Sequence, residues 1–114
     1  YKQLKFNFPN MIKSWNKGVD VKYPKGENTQ DVKRRVNKFL NYLSNINNKK
    51  KILIISHSFF IRVLLGMILN FDMKKIYKLK IDHLQSFKIL KKGNNFYCNI
   101  ERREIRKLYK QLHD

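Results

Sequence analysis

The stretch that most constrains the fold is Lys51 to Asn70, KILIISHSFFIRVLLGMILN. Ile52-Leu53-Ile54-Ile55-Ser56 is an apolar run closed by a serine. It reads as a short strand buried on both faces and central in a parallel sheet, because an edge strand would alternate. The apolar run that follows is too long for a second strand. Phe59, Phe60, Val63, Leu64, Met67 and Ile68 recur at helical spacing, which predicts a helix over 59–69. Ser58 is the natural N-cap. His57 then stands at the carboxyl end of a buried strand and beside a helix N-terminus. In open α/β sheets this is the place where ligands bind, and the free N–H groups there favour anions.

The 114 residues suit one domain, 1–114, and not two. The hydrophobic share of 42% supports a core, since a chain of this size buries roughly 65% of its unfolded surface. A net charge of +18 attracts phosphorylated ligands and polyanions. The competing reading is that Lys/Asn/Ile-rich usage is a compositional habit of the coding sequence. No arginine-rich cluster or aromatic-interleaved basic motif points to specific nucleic-acid recognition. The single cysteine, Cys98, forms no internal disulfide, which favours a reducing, cytoplasmic setting. No secretory segment and no bilayer-length apolar run is present, so no membrane partner is expected. The first residue is Tyr1 rather than methionine, which leads to the expectation of a processed start or a longer chain.

Before the central stretch, Leu4, Phe6 and Phe8 alternate, so Tyr1 to Asn7 reads as extended. Pro9 suits a first helical turn, Met11, Ile12 and Trp15 follow at helical spacing, and Gly18 stops that helix. Trp15 reads as a core anchor. After a loop through Pro24 and Gly26, Asn28 and Asp31 make a capping box with an acid in place of the usual Glu or Gln. The helix behind it, over 28–46, carries Val32, Val36, Phe39, Leu40, Leu43 and Ile46 on one face. Beyond the central stretch, 74–77 fits one helical turn. The runs 86–90 and 96–100 read as a β-hairpin joined through Lys91-Lys92-Gly93-Asn94-Asn95. Residues 102–114 read as a C-terminal helix or a frayed tail.

By position alone, His57 is the one residue that invites chemistry. The alternative is a histidine at the edge of the core, satisfied by backbone. Ser56 and Ser58 lack the flanking glycines of a nucleophile elbow, and neither a Walker loop nor a dinucleotide fingerprint occurs. His57, His83, His113 and Cys98 have no zinc-like spacing, so no metal and no cofactor are expected.

Lys51 to Leu69 resembles the second-histidine segment of the histidine phosphatase, or phosphoglycerate mutase-like, superfamily, in which a strand, Ser/Thr-His-Gly and an apolar helix with Ile-Arg follow one another. Upstream, Tyr23-Pro24-Lys25-Gly26-Glu27-Asn28 with Val32 and Arg35-Val36 is similar to the family's Pro-Gly-Gly-Glu-Ser segment and its helix. Pro9 to Trp15 resembles the helix before that, and 76–90 the approach to the last two strands. The match in order and spacing runs over about 8–101.

The resemblance implies an α/β fold, three-layer α/β/α and phosphoglycerate mutase-like, present incompletely as the C-terminal part of the domain. It implies a phosphomonoester phosphatase or mutase-like activity through phosphohistidine on a small phosphorylated substrate. In that family a first histidine, within Arg-His-Gly, takes the phosphoryl group. A second histidine donates to the phosphoryl oxygens, where a positioned donor stabilises developing charge. His57 takes the second, catalytic role by resemblance, the N–H of Ser58 becomes a phosphate donor, and Glu27 has a structural or substrate-rim place. Two departures stand out. Ser58 replaces the usual glycine, and no Arg-His-Gly occurs in the sequence, so the chain alone is expected to be inactive. Arg62 reads as a helix surface residue and Arg35 as structural. The alternatives are a small basic polyanion-binding module and a catalytically dead relative used for interaction. Substrate and oligomeric state are not read from the sequence.

Overall fold

The computed structural model describes residues 2–98. The expectation of a C-terminal helix or tail over 102–114 lies outside the described residues. Five helices come first, α1 (Lys2–Asn7), α2 (Pro9–Asn16), α3 (Thr29–Ser44), α4 (Ser58–Ile68) and α5 (Met73–Lys78). A hairpin of β1 (Ile89–Lys92) and β2 (Asn95–Cys98) follows.

Three helices build the core. Val32 and Val36 of α3, Val63 and Leu64 of α4 and Ile76 of α5 form one buried cluster. Val36, Val63 and Ile76 are fully sealed. The i, i+4 spacing of Val32 and Val36 places both on the face that meets α4. Gly66 of α4 lies directly under Ile76. An added Cβ there would land on Ile76 Cγ1 and sit 2.7 Å from Cδ1, so glycine is what lets α5 seat this closely. Leu79 makes a satellite with Leu69, Phe71 and Cys98.

The capping box forms in full, as the 28–31 spacing predicts. The Asp31 N–H donates to Asn28 Oδ1 at 2.9 Å and the Asn28 N–H to Asp31 Oδ2 at 3.0 Å. The hairpin is antiparallel, with Lys92 opposite Asn95, and is shorter and later in its first strand than 86–90. Gly93, at φ +59°, opens a two-residue turn with Asn94, as a primed turn requires. Lys91 Nζ donates to the carbonyls of Ser44 and Ile46, each at 2.7 Å, so a hairpin cation meets the carbonyl end of α3, where the helix dipole favours positive charge.

Three expectations need correction. Residues 2–7 are helical, not extended. Ser58 is the first residue of α4, and His57 is its N-cap. The largest change concerns 52–56. No strand pairs with this segment among the described residues, whose one sheet has two strands, and it is exposed, with Leu53 at 86% and Ile55 at 88%. Ile52 and Ile54 are less exposed, at 50% and 38%. The alternation is that of a segment leaning on the protein with one side only. A central parallel strand owes its burial to neighbours along both edges and helices on both faces. The described residues supply neither edge, so the apolar run stays outside. The architecture is mixed helix with a small sheet, and three complete layers are not formed by the described residues.

Candidate functional site

His57 adopts φ −91° and ψ 152° and caps α4 with its backbone alone, since no side chain caps this helix. Its carbonyl accepts the Ile61 N–H at 3.0 Å. The first N–H groups of a helix have no partner within it, so the turn beginning at Ser58 presents donors beside an exposed imidazole. α3 and α5 are different. Asn28 and Asp72 cap them through side chains, and the N-terminus of α3 also receives a second carboxylate. The N–H groups of Thr29 and Gln30 donate to Asp20 at 2.7 and 3.1 Å.

Aromatic contacts bracket the first turn of α4 on two sides. Phe59 lies parallel to Tyr77, with centroids 6.5 Å apart and an interplanar angle of 5°. Tyr77 also receives Trp15 edge-on at 5.7 Å, so Trp15 packs against an aromatic neighbour, in line with its reading as an anchor. Phe60 meets Phe39 edge-on at 6.0 Å and lies 5.7 Å beneath the Arg35 guanidinium. Arg35 Nε donates to Glu27 Oε2 at 2.8 Å. Glu27 therefore reaches the α4 turn through Arg35 and Phe60, a tie between a loop and the helix that carries the candidate histidine. Glu27 and Arg35 are both exposed, and such a pair contributes about 0–1 kcal/mol.

The hydroxyl of Tyr77 is held at its far end. It donates to Asp20 Oδ1 at 3.2 Å and lies 2.7 Å from Thr29 Oγ1. Asp20 only accepts, so with the Tyr77 proton on Asp20 the Thr29 hydroxyl donates to Tyr77. Partial burial pushes the Asp20 carboxyl up, but the N–H groups of Thr29 and Gln30 and the two hydroxyls outweigh it, and the net shift is downward. Burial first of all raises the Tyr77 hydroxyl.

Arg62 differs from its reading as a surface residue. It is half-buried, and its Nε is sealed from solvent without a hydrogen-bond partner among the described residues. Burial lowers its pKa. Local spacing does not show this, because Ile-Arg-Val places Arg62 next to the apolar face without saying how far its stem is covered. Asp20 and Tyr77 were missed as well. Their partners are 9 and 57 residues away along the chain, beyond the reach of periodicity. A shallow hollow lined by Met11, Ile12, Trp15, Val21 and Tyr23 contains none of the candidate residues. Among the described residues no three His, Cys, Asp or Glu side chains gather as a metal site, and no helix is long and apolar enough to cross a membrane.

The family model described as Histidine phosphatase superfamily (branch 1) matches residues 2–100. No curated protein and no solved structure matches the chain.

Proposed function

Because this chain belongs to the histidine phosphatase superfamily, in which phosphatase and mutase-like activities are general, we propose that it forms part of a phosphomonoester phosphatase or mutase working through phosphohistidine. His57 is the second histidine of the site, and its imidazole donates to the phosphoryl oxygens as charge builds on them. The Ser58 N–H is a second donor, and Glu27 belongs to the rim or holds Arg35. The observation that carries this reading is His57 itself, exposed at an N-terminus that no side chain caps, within the matched residues.

Phosphoryl transfer to histidine needs a nucleophile, cations around the phosphate and a proton donor for the leaving group. No Arg-His-Gly occurs in the 114 residues, so the nucleophile comes from residues outside them. The same residues would supply the parallel neighbours that turn 52–56 into a sheet strand and complete three α/β/α layers in one domain. The exposure of Leu53 and Ile55 supports this reading. The test compares the 114 residues with the same residues joined to an Arg-His-Gly-bearing segment, on a chromogenic phosphomonoester. The 114 residues should give no turnover above buffer. In the joined protein, His57→Ala should lower turnover by about ten-fold to a hundred-fold, the low end for a positioned donor. An undiminished His57→Ala variant removes His57 from the mechanism.

A second reading, polyanion binding, has its own observation. Among the described residues Asp20, Asp31 and Asp72 cap helices and Glu27 pairs with Arg35, while Lys22 is the one lysine in an ion pair. Most of the positive charge is therefore unneutralised. Dispersed lysines meet phosphates as a diffuse field, so binding should be weak, lost at high salt, and equal for two unrelated DNA duplexes. Salt-resistant preference for one duplex would favour the binding module over the enzyme.

A further inference from the structure

We infer that Tyr77 is a positioning residue for His57, an inference that rests on the reading of His57 as the phosphoryl-facing donor. Tyr77 is a strut with both ends fixed. Its hydroxyl is held by Asp20 at 3.2 Å and faces Thr29 at 2.7 Å, and Thr29 is 3% exposed at the start of α3. Its ring lies parallel to Phe59 and offset from it, 6.5 Å between centroids, two residues after His57. Trp15 closes the ring's other approach edge-on at 5.7 Å.

An N-cap has its own backbone angles and no side-chain tether here, so the direction of the His57 imidazole depends on how the first turn of α4 is held. Within that turn Phe59 carries the contact to Tyr77. Parallel aromatic pairs at this separation attract beyond the effect of their burial. The hydroxyl contacts then fix where the ring lies, because Asp20 is itself pinned by two N–H groups of α3. A donor aimed at a transition state loses effect when displaced by about 1 Å. A polar anchor at one end of Tyr77 is thereby transmitted to the helix turn that carries the histidine.

The test is Tyr77→Phe, which keeps the ring and removes the anchor, with Tyr77→Leu as the variant that also removes the stack. In ¹H–¹⁵N and ¹H–¹³C spectra at one fixed pH, the His57 imidazole signals are assigned by their loss in His57→Ala. They should move in Tyr77→Phe and move further in Tyr77→Leu, while those of His83 stay in place. His57 signals unchanged in Tyr77→Phe, with the protein folded, overturn the inference. If Tyr77→Leu fails to fold, Tyr77→Phe decides alone. In the protein joined to an Arg-His-Gly segment, Tyr77→Phe should lower kcat about three- to ten-fold with KM unchanged, and should cost nothing more in a His57→Ala background. An equal loss in both backgrounds makes Tyr77 merely structural and refutes the inference. Full activity of His57→Ala instead refutes the functional reading beneath it, so the two failures are told apart.

Discussion

Gly66→Ala sets two effects of opposite sign against each other. In a helix interior alanine is better than glycine by about 0.8–1.0 kcal/mol, so on helix propensity alone the variant should be more stable. Packing predicts the reverse. The new methyl would overlap Ile76 Cγ1 and stand 2.7 Å from Cδ1, far inside the normal carbon contact of about 3.5–4.0 Å. Ile76 has no exposed surface and is packed among Val32, Val36, Val63 and Leu64, so it can yield only by pushing α5 off α4. Overpacking of this kind costs about 1–3 kcal/mol, and two bad contacts on one buried side chain belong at the upper end. The net expectation is a loss of about 1–2 kcal/mol, or a fall in Tm of about 4–12 °C for a chain of this length. Urea unfolding followed by circular dichroism measures it, with an unchanged slope showing that the midpoint shift is a stability change. Ile76→Ala supplies the second arm. It costs about 2–5 kcal/mol by itself, but adding Gly66→Ala to it should cost nothing and could recover the propensity gain. The coupling is then about 2 kcal/mol. A Gly66→Ala variant more stable than the parent, or additive with Ile76→Ala, would refute the close packing of α4 on α5.

Other expectations follow from single contacts. Asn28→Ala removes one half of the capping box at α3 and should cost about 1 kcal/mol in the same urea experiment. The Asp20 carboxyl lies below its ordinary value of 3.8 in the folded protein, so its contribution to stability is present above that pH and is lost as the pH falls through the lowered folded value. Asp20→Asn should flatten the acid limb of a Tm-against-pH curve, and an unaltered limb would mean the carboxylate is not engaged. Arg62→Met removes a guanidinium whose Nε is sealed without a partner among the described residues and should raise Tm. A lowered Tm would refute the reading of this guanidinium as an uncompensated burial cost.

The sequence was most legible where structure is local. Asn28 and Asp31 fix the start of α3 through bonds three residues apart, and the apolar spacing of Val32, Val36, Val63 and Leu64 announced the faces that pack. The α4 helix was readable for the same reason, to within one residue at its start. The Ile52 to Ser56 run was not, because a buried strand is a property of its neighbours, and apolar residues alone do not supply them. The one-residue error at Ser58 has a similar cause. Serine is a good cap by type, but here the chain turns helical at Ser58 itself and leaves capping to the His57 backbone. Asp20 and Tyr77 needed three dimensions. Nothing in their local sequence distinguishes an aspartate that reaches an α3 amide from one in water.

The exposed Ile52–Ile55 run has a colloidal consequence. Four consecutive β-prone apolar residues, open along both edges, can template pairing with other copies of the same run. Lys49, Lys50 and Lys51 stand immediately before it, where charged gatekeepers oppose stacking, and the net charge of +18 adds long-range repulsion between molecules. That protection is electrostatic, and its range contracts from about 10 Å at 0.1 M salt to about 3 Å at 1 M. Dispersions of the 114 residues should therefore stay clear at low ionic strength and turn turbid as salt is added, the opposite of a protein held in aggregates by its charges. Replacing Leu53 by lysine should abolish the turbidity.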